Sequence, residues 1–230
     1  MGRGFWIAGT DTNAGKTVIT AYFMRCFQEQ GKNTVPYKPV QTGLVTDESG
    51  SWYPDTAFYR KFSLTDLKVD HINTYSFKTP ASPHYAAALE QAEIRKDVIL
   101  KQMTTLQSVY DVVICEGAGG LYVPLNAEQE YCLIDLIEES QLPVVLVART
   151  TLGTINHTLL SLDVLRSRGI LTAGIVFNRF TCTEMETDNI KTIHRLTGLP
   201  YLIFPELGDV SEIKSLILGN HTFLRQLIGS

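Results

Sequence analysis

Short apolar, β-branched runs alternate along this chain with longer amphipathic stretches. The runs 4–8, 34–38, 111–115, 143–148, 172–177 and 200–203 predict strands, and 16–30, 84–107, 131–140, 155–168 and 184–197 predict helices. Several runs have no polar face, among them Val112-Val113-Ile114-Cys115 and Val144-Val145-Leu146-Val147. A strand that is apolar on both sides must be covered on both sides, as happens where crossover helices flank a parallel sheet. The alternation therefore predicts an α/β fold: one doubly wound, mostly parallel sheet between helices, with 1–230 as a single domain. No repeat, low-complexity tract or linker interrupts it. The polar stretch 44–54, containing Thr46-Asp47-Glu48-Ser49-Gly50-Ser51, reads as a mobile surface loop, short enough to act as a lid.

Such sheets bind ligands beyond the carboxyl ends of their strands. After the first run comes Gly9-Thr10-Asp11-Thr12-Asn13-Ala14-Gly15-Lys16-Thr17. Strand, glycine loop, Gly-Lys-Thr, helix is the order that holds a nucleotide triphosphate. Backbone N–H groups from Asn13, Ala14 and Gly15 into Val18 would surround the phosphates, helped by the positive helix end. Lys16 supplies a cation for the β- and γ-phosphates, and the Thr17 hydroxyl suits Mg²⁺. The usual loop has four residues between its glycines; here Gly9 and Gly15 enclose five.

After the second run come Lys38, Gln41 and Thr42. Pro39 biases Lys38 away from helix, so its ammonium stands at a strand end, fit to bind an anion beside the γ-phosphate. The third run ends in Glu116-Gly117-Ala118-Gly119-Gly120, where a carboxylate next to the phosphate loop can orient Mg²⁺. Its glycines permit close approach of a phosphate or a substrate. Asp55 either completes the metal shell or N-caps a helix starting at Thr56. The fourth run leads to Gly153-Thr154-Ile155-Asn156, a helix start whose free N–H groups can receive a carboxylate. Asn178 and Arg179 follow the fifth. His84 begins a helix and reads as structural. With no Ser-His-Asp arrangement and no Cys/His metal spacing, the chemistry must be phosphoryl transfer or something driven by it.

Composition narrows the partners. Hydrophobic content of 44% and charged content of 19% are ordinary for a globular protein, and a net charge of −4 offers no basic footprint for nucleic acid. Cys26, Cys115, Cys132 and Cys182 are scattered without a C-x-x-C pair, as expected of reduced structural thiols. The N-terminal run turns polar too soon for a signal peptide, and no run approaches a membrane span. A cytoplasmic protein without membrane contact is expected.

Taken together, Gly9–Thr17, Tyr37-Lys38-Pro39-Val40-Gln41-Thr42-Gly43, Ser82-Pro83-His84, Glu116–Gly120 and Leu152-Gly153-Thr154-Ile155-Asn156-His157 occur in the order seen in dethiobiotin synthetases, which the chain resembles over nearly its whole length. The resemblance implies a P-loop NTPase-like ligase of biotin synthesis. It would convert 7,8-diaminopelargonic acid, CO₂ and ATP into dethiobiotin, ADP and phosphate with Mg²⁺. It implies that Lys16 bridges γ-phosphate and carbamate and that Lys38 stabilises the carbamate oxygens. Thr17, Asp55 and Glu116 would hold Mg²⁺, and Thr12, Thr42 and Gly119 would border the reacting groups. Asn178 would read adenine, with Pro205 and Glu206 completing that pocket. Gly153–Asn156 would receive the substrate's carboxylate from the neighbouring subunit of a homodimer. One departure is Asn13, an amide where many members carry an acid. A cobyrinate-type amidotransferase would need a glutaminase domain with its own Cys and His, and a ParA-like switch ATPase would need an early loop lysine that Gly9-Thr10-Asp11-Thr12 lacks.

Overall fold

The computed structural model describes residues 3–48, 50–216, 223, 224 and 227. The apolar runs form β1 (Arg3–Gly9), β2 (Thr34–Tyr37), β3 (Val112–Glu116), β4 (Val144–Arg149), β5 (Thr172–Phe180) and β6 (Tyr201–Pro205). They make one six-stranded parallel sheet in the order β2-β3-β1-β4-β5-β6. Alternate side chains point to opposite faces. Thus Trp6 and Ala8 join one buried cluster with Val144, Leu146 and Ala148, while Phe5 and Ile7 join another with Val145 and Val147. Two cores, one per face, explain strands without a polar side.

Each core is closed by helices. Phe23 and Phe27 of α1 (Lys16–Glu29) meet Phe5 edge-on at centroid distances of 6.1 and 6.2 Å. Beside α1 lies α2 (Pro54–Phe62), which buries Tyr59 and Phe62. The opposite core receives α3 (Pro83–Leu89), α4 (Lys96–Val109), α5 (Leu133–Ser140), α6 (Thr154–Ser167) and α7 (Glu184–Thr197). Among the described residues no helix is long and apolar enough to cross a membrane.

Four expectations change in detail. The stretch 84–107 is two helices, not one, because α3 ends in a left-handed turn. Gln91 has φ 52°, Ala92 N–H donates to Ala87 C=O at 2.9 Å, and Gln91 N–H donates to Ala88 C=O at 3.1 Å. That pair of bonds is a Schellman closure, made without the glycine that would have announced it. The stretch 44–54, expected as a surface loop, carries an exposed hairpin: Val45–Asp47 and Gly50–Trp52 pair antiparallel, Ser49 lies outside the described residues, and Pro54 already opens α2. Finally, β5 continues beyond 177 to Phe180, and α5 begins at Leu133, after a short strand at Tyr131–Cys132.

Candidate active site

Loops from the carboxyl ends of β1 to β5 meet at one sheet edge. Gly15 caps α1 in the left-handed region (φ 92°), and a Cβ there would lie 2.0 Å from Asn178 Nδ2. Only glycine fits this place. Asn178 reaches it because β5 bulges: the register with β6 shifts between Phe177 and Phe180, and Arg179 has φ 60°. Its Nδ2 donates to Ala14 C=O at 2.8 Å, and its Oδ1 accepts from Arg179 N–H at 2.9 Å. Lys16 Nζ lies back along the loop, donating to Asp11 C=O at 2.9 Å and Thr12 C=O at 3.4 Å. The Asp11 carboxylate accepts Asn13 N–H at 2.6 Å and faces Arg149 at 3.2 Å.

Beside this loop, two carboxylates, a hydroxyl and an ammonium come together, Glu116 and Lys38 buried and Thr17 and Asp55 half-buried. Thr17 Oγ1 lies 2.9 Å from both Asp55 Oδ1 and Glu116 Oε1. A hydroxyl has one proton, so it serves only one of them at a time. Lys38 Nζ bridges the pair, donating to Asp55 Oδ2 and, at 2.9 Å, to Glu116 Oε1. Glu116 Oε2 accepts the Tyr59 hydroxyl at 2.5 Å. Glu116 is 1% exposed and Lys38 8%. Asp55 and Tyr59 share one face of α2, four residues apart. Asp55 is the second residue of that helix, whose N-cap is Tyr53, so the capping alternative falls away.

Burial would lower the pKa of Lys38, but Glu116 and Asp55 outweigh it and hold the ammonium above its usual range. Burial would raise Asp55; the Lys38 charge, with hydrogen bonds from Lys38 and Thr17, pulls it below the usual carboxylate range instead. Lys16 differs. Burial brings it down to about 8, with Glu116 opposing and Lys38 assisting. Burial and the neighbouring carboxylates push Tyr59 far up, keeping it a neutral donor.

The remaining candidates frame this cluster less tightly. Gly119 (φ 67°) packs on Val123, and a Cβ there would stand 3.6 Å from Thr12 Oγ1, so the glycines after β3 face the phosphate loop. Thr42 is half-buried at the end of the short strand Val40–Thr42. Glu206 N–H donates to Phe180 C=O at 3.1 Å, setting Pro205 and Glu206 beside the Asn178 bulge. Gly153 is the left-handed N-cap of α6; Thr154 turns its hydroxyl inward to Arg149 C=O, whereas Gly153 and Asn156 are exposed. Sequence reasoning missed Asp11 and Tyr59 as site residues. Asp11 lay inside the loop motif, but Tyr59 belongs to a short helix that the apolar pattern did not mark.

Hard oxygen donors at Thr17, Asp55 and Glu116, already arranged around an ammonium, are a fitting set for Mg²⁺. Among the described residues no group of three or more His, Cys, Asp or Glu is placed to hold a metal. Two carboxylates and a hydroxyl leave coordination positions for phosphate oxygens and water.

The AAA domain family matches residues 3–216. The chain is 51% identical over 226 residues to the ATP-dependent dethiobiotin synthetase BioD of Lysinibacillus sphaericus (strain C3-41), covering 98% of this chain and 97% of that one. It is 35% identical over 213 residues to the protein of the same name from Bacillus subtilis (strain 168), covering 91% and 90%. Among solved structures, the septum site-determining protein MinD from Pyrococcus horikoshii OT3, complexed with Mg-ADP, superposes with a TM-score of 0.58 at 14% identity, over 99% of this chain and 95% of that one. Cobyrinic acid a,c-diamide synthase from Mycobacterium smegmatis, with bound ADP and magnesium, gives 0.53 at 14% identity, over 93% and 91%. At that identity the two structures speak to the fold alone. Long alignments to the synthetases carry the family assignment, and the chain belongs to the ATP-dependent dethiobiotin synthetases.

Proposed function

We propose that this chain, as a single ligase domain spanning 1–230, makes dethiobiotin from 7,8-diaminopelargonic acid, CO₂ and ATP, through a carbamate and a carbamic–phosphoric anhydride. One observation carries the reading. Lys38 Nζ, after β2, donates to both Asp55 and Glu116, and Thr17, next to Lys16 in the phosphate-binding loop, lies 2.9 Å from each of the same two carboxylates.

CO₂ adds to one amine of the substrate to give a carbamate. A carbamate oxygen then attacks the γ-phosphorus, and ADP leaves. The second amine attacks the carbonyl carbon, expels phosphate and closes the ureido ring. Both nucleophiles belong to the substrate, so the protein needs none of its own. Its work is to collect negative charge and hold the reacting atoms close. N–H groups of Asn13–Val18 take the phosphates, and Lys16 spans γ-phosphate and carbamate. Lys38 donates to the carbamate oxygens; Thr12, Thr42 and Gly119 border them. Thr17, Asp55 and Glu116 would hold Mg²⁺, which when bound neutralises phosphate charge. Asn178, Pro205 and Glu206 receive the base. Asn13 brings no charge to the loop, but Asp11, two residues earlier, does.

The α6 start at Gly153–Asn156 receives the substrate's carboxylate on behalf of a second subunit, in a cytoplasmic homodimer. Leu152, 87% exposed, and Leu160, 59% exposed, support this by offering apolar area on and beside that helix. The decisive assay follows ADP release with and without diaminopelargonate and bicarbonate. ADP release should require both. Turnover indifferent to the diamine would instead favour a switch ATPase.

A further inference from the structure

Glu186 accepts more hydrogen bonds than its place in the fold explains. It is the third residue of α7, and its capping box needs only Thr183 N–H on the carboxylate (3.1 Å) and Glu186 N–H on Thr183 Oγ1 (3.3 Å). The carboxylate, in a residue 3% exposed, also accepts Thr183 Oγ1 at 3.0 Å, Thr181 N–H at 3.0 Å, Thr181 Oγ1 at 2.7 Å and the Thr150 hydroxyl. Only an acceptor-only group can take all of these donors.

Thr150 is the unexpected partner. It is buried directly after β4 and is gripped again by α7, where Asn189 Nδ2 donates to Thr150 C=O at 3.0 Å. Its hydroxyl also lies 3.3 Å from Arg179 C=O. The two loops so joined flank the site. One runs from Arg149 and Thr150 to Gly153 and α6, with Thr154 Oγ1 bonded back to Arg149 C=O. The other leaves Asn178 through Arg179 (φ 60°) and Cys182 (φ 66°), left-handed positions without glycine that need outside support.

We propose that Glu186 is a positioning residue: its carboxylate clamps the loop after Asn178 to the loop that opens α6, so one buried group sets both the nucleotide-base end and the carboxylate-receiving helix start. The inference rests on the dethiobiotin-synthetase reading of those two places. A residue that touches neither substrate then governs the apparent affinity for both.

Thr150→Val breaks the clamp and leaves the rest of the Glu186 cap in place. It should raise KM for ATP and for the diamine roughly tenfold each, the scale of one lost charge-assisted hydrogen bond, with kcat changed less than about threefold. ATP affinity measured by calorimetry without diamine should fall alike. Glu186→Ala should behave as Thr150→Val or worse. Glu186→Gln, whose amide can donate to Thr150 Oγ1 while its oxygen keeps Thr181 and Thr183, should stay within about threefold of wild type. Unchanged KM values in Thr150→Val, whatever its Tm, overturn the clamp, as does Glu186→Gln no better than Glu186→Ala. If Glu186→Ala does not fold, Thr150→Val decides. If wild type hydrolyses ATP without the diamine, the functional reading fails instead, and the calorimetric ATP affinity of Thr150→Val still judges the clamp.

Discussion

A lysine as buried as Lys38 would ordinarily shed its proton, because an ammonium out of water is costly. Glu116 and Asp55 prevent this, and removing Lys38 leaves the two carboxylates facing each other without its charge. Lys38→Ala should therefore lower product formation by roughly 100- to 1,000-fold, as loss of one oriented charge at an anionic transition state does, and ATP affinity by less than about threefold. Parallel ATP-binding and product assays check this, and equal losses would remove Lys38 from the carbamate. Lys16, Thr17, Lys38 and Glu116 were legible in the sequence because each ends or follows an apolar run. Asp55 was ambiguous, since an acid near a helix start caps its own helix as readily as it serves a distant site. The phenol of Tyr59 was illegible: its partner, Glu116, lies 57 positions away in the chain.

At the scale of elements, α2 and α7 do more than cover the sheet. Through Asp55 and Tyr59, α2 delivers an acid and a neutral donor to the same pair of charges, and α7 delivers Glu186. Burial would raise the Glu186 pKa, but hydrogen bonds from Thr150, Thr181 and Thr183 bring it down to about 2. The sign follows directly. A carboxylate depressed in the folded state stabilises it above the unfolded pKa, and that contribution drains as pH falls toward about 2. The gap in unfolding free energy between wild type and Glu186→Gln, from urea melts, should narrow between about pH 5 and about pH 2.5. A constant gap would show that Glu186 carries no such charge dependence. Helix limits were the least legible features for a related reason. The break between α3 and α4 is made by backbone bonds around Gln91, and hydrophobic periodicity does not register them.

The whole molecule places all five strand-end loops on one sheet edge, yet leaves the α6 start open to solvent. If that start serves a neighbour, two defective chains should complement each other. Lys38→Ala disables the donor of one site, and Gly153→Asp puts a negative charge on the φ 91° position proposed to receive a carboxylate. Mixed subunits should recover about one quarter of wild-type activity, because half of random pairs are heterodimers with one intact site. No recovery after verified subunit exchange would confine the site to one chain.

The linear order of residues was enough for the parallel sheet, its two buried faces, the phosphate loop and the four side chains that stand at strand ends. Those features follow from local periodicity and from short motifs whose geometry the backbone imposes. Folding alone decided that Asp55 reaches Thr17 and Lys38, that Tyr59 reaches Glu116, that Asn178 presses on Gly15, and that Thr150 is held from α7. Each is a meeting of side chains far apart in sequence. Helix docking and a strand bulge bring them together, and neither leaves a periodic trace in the chain.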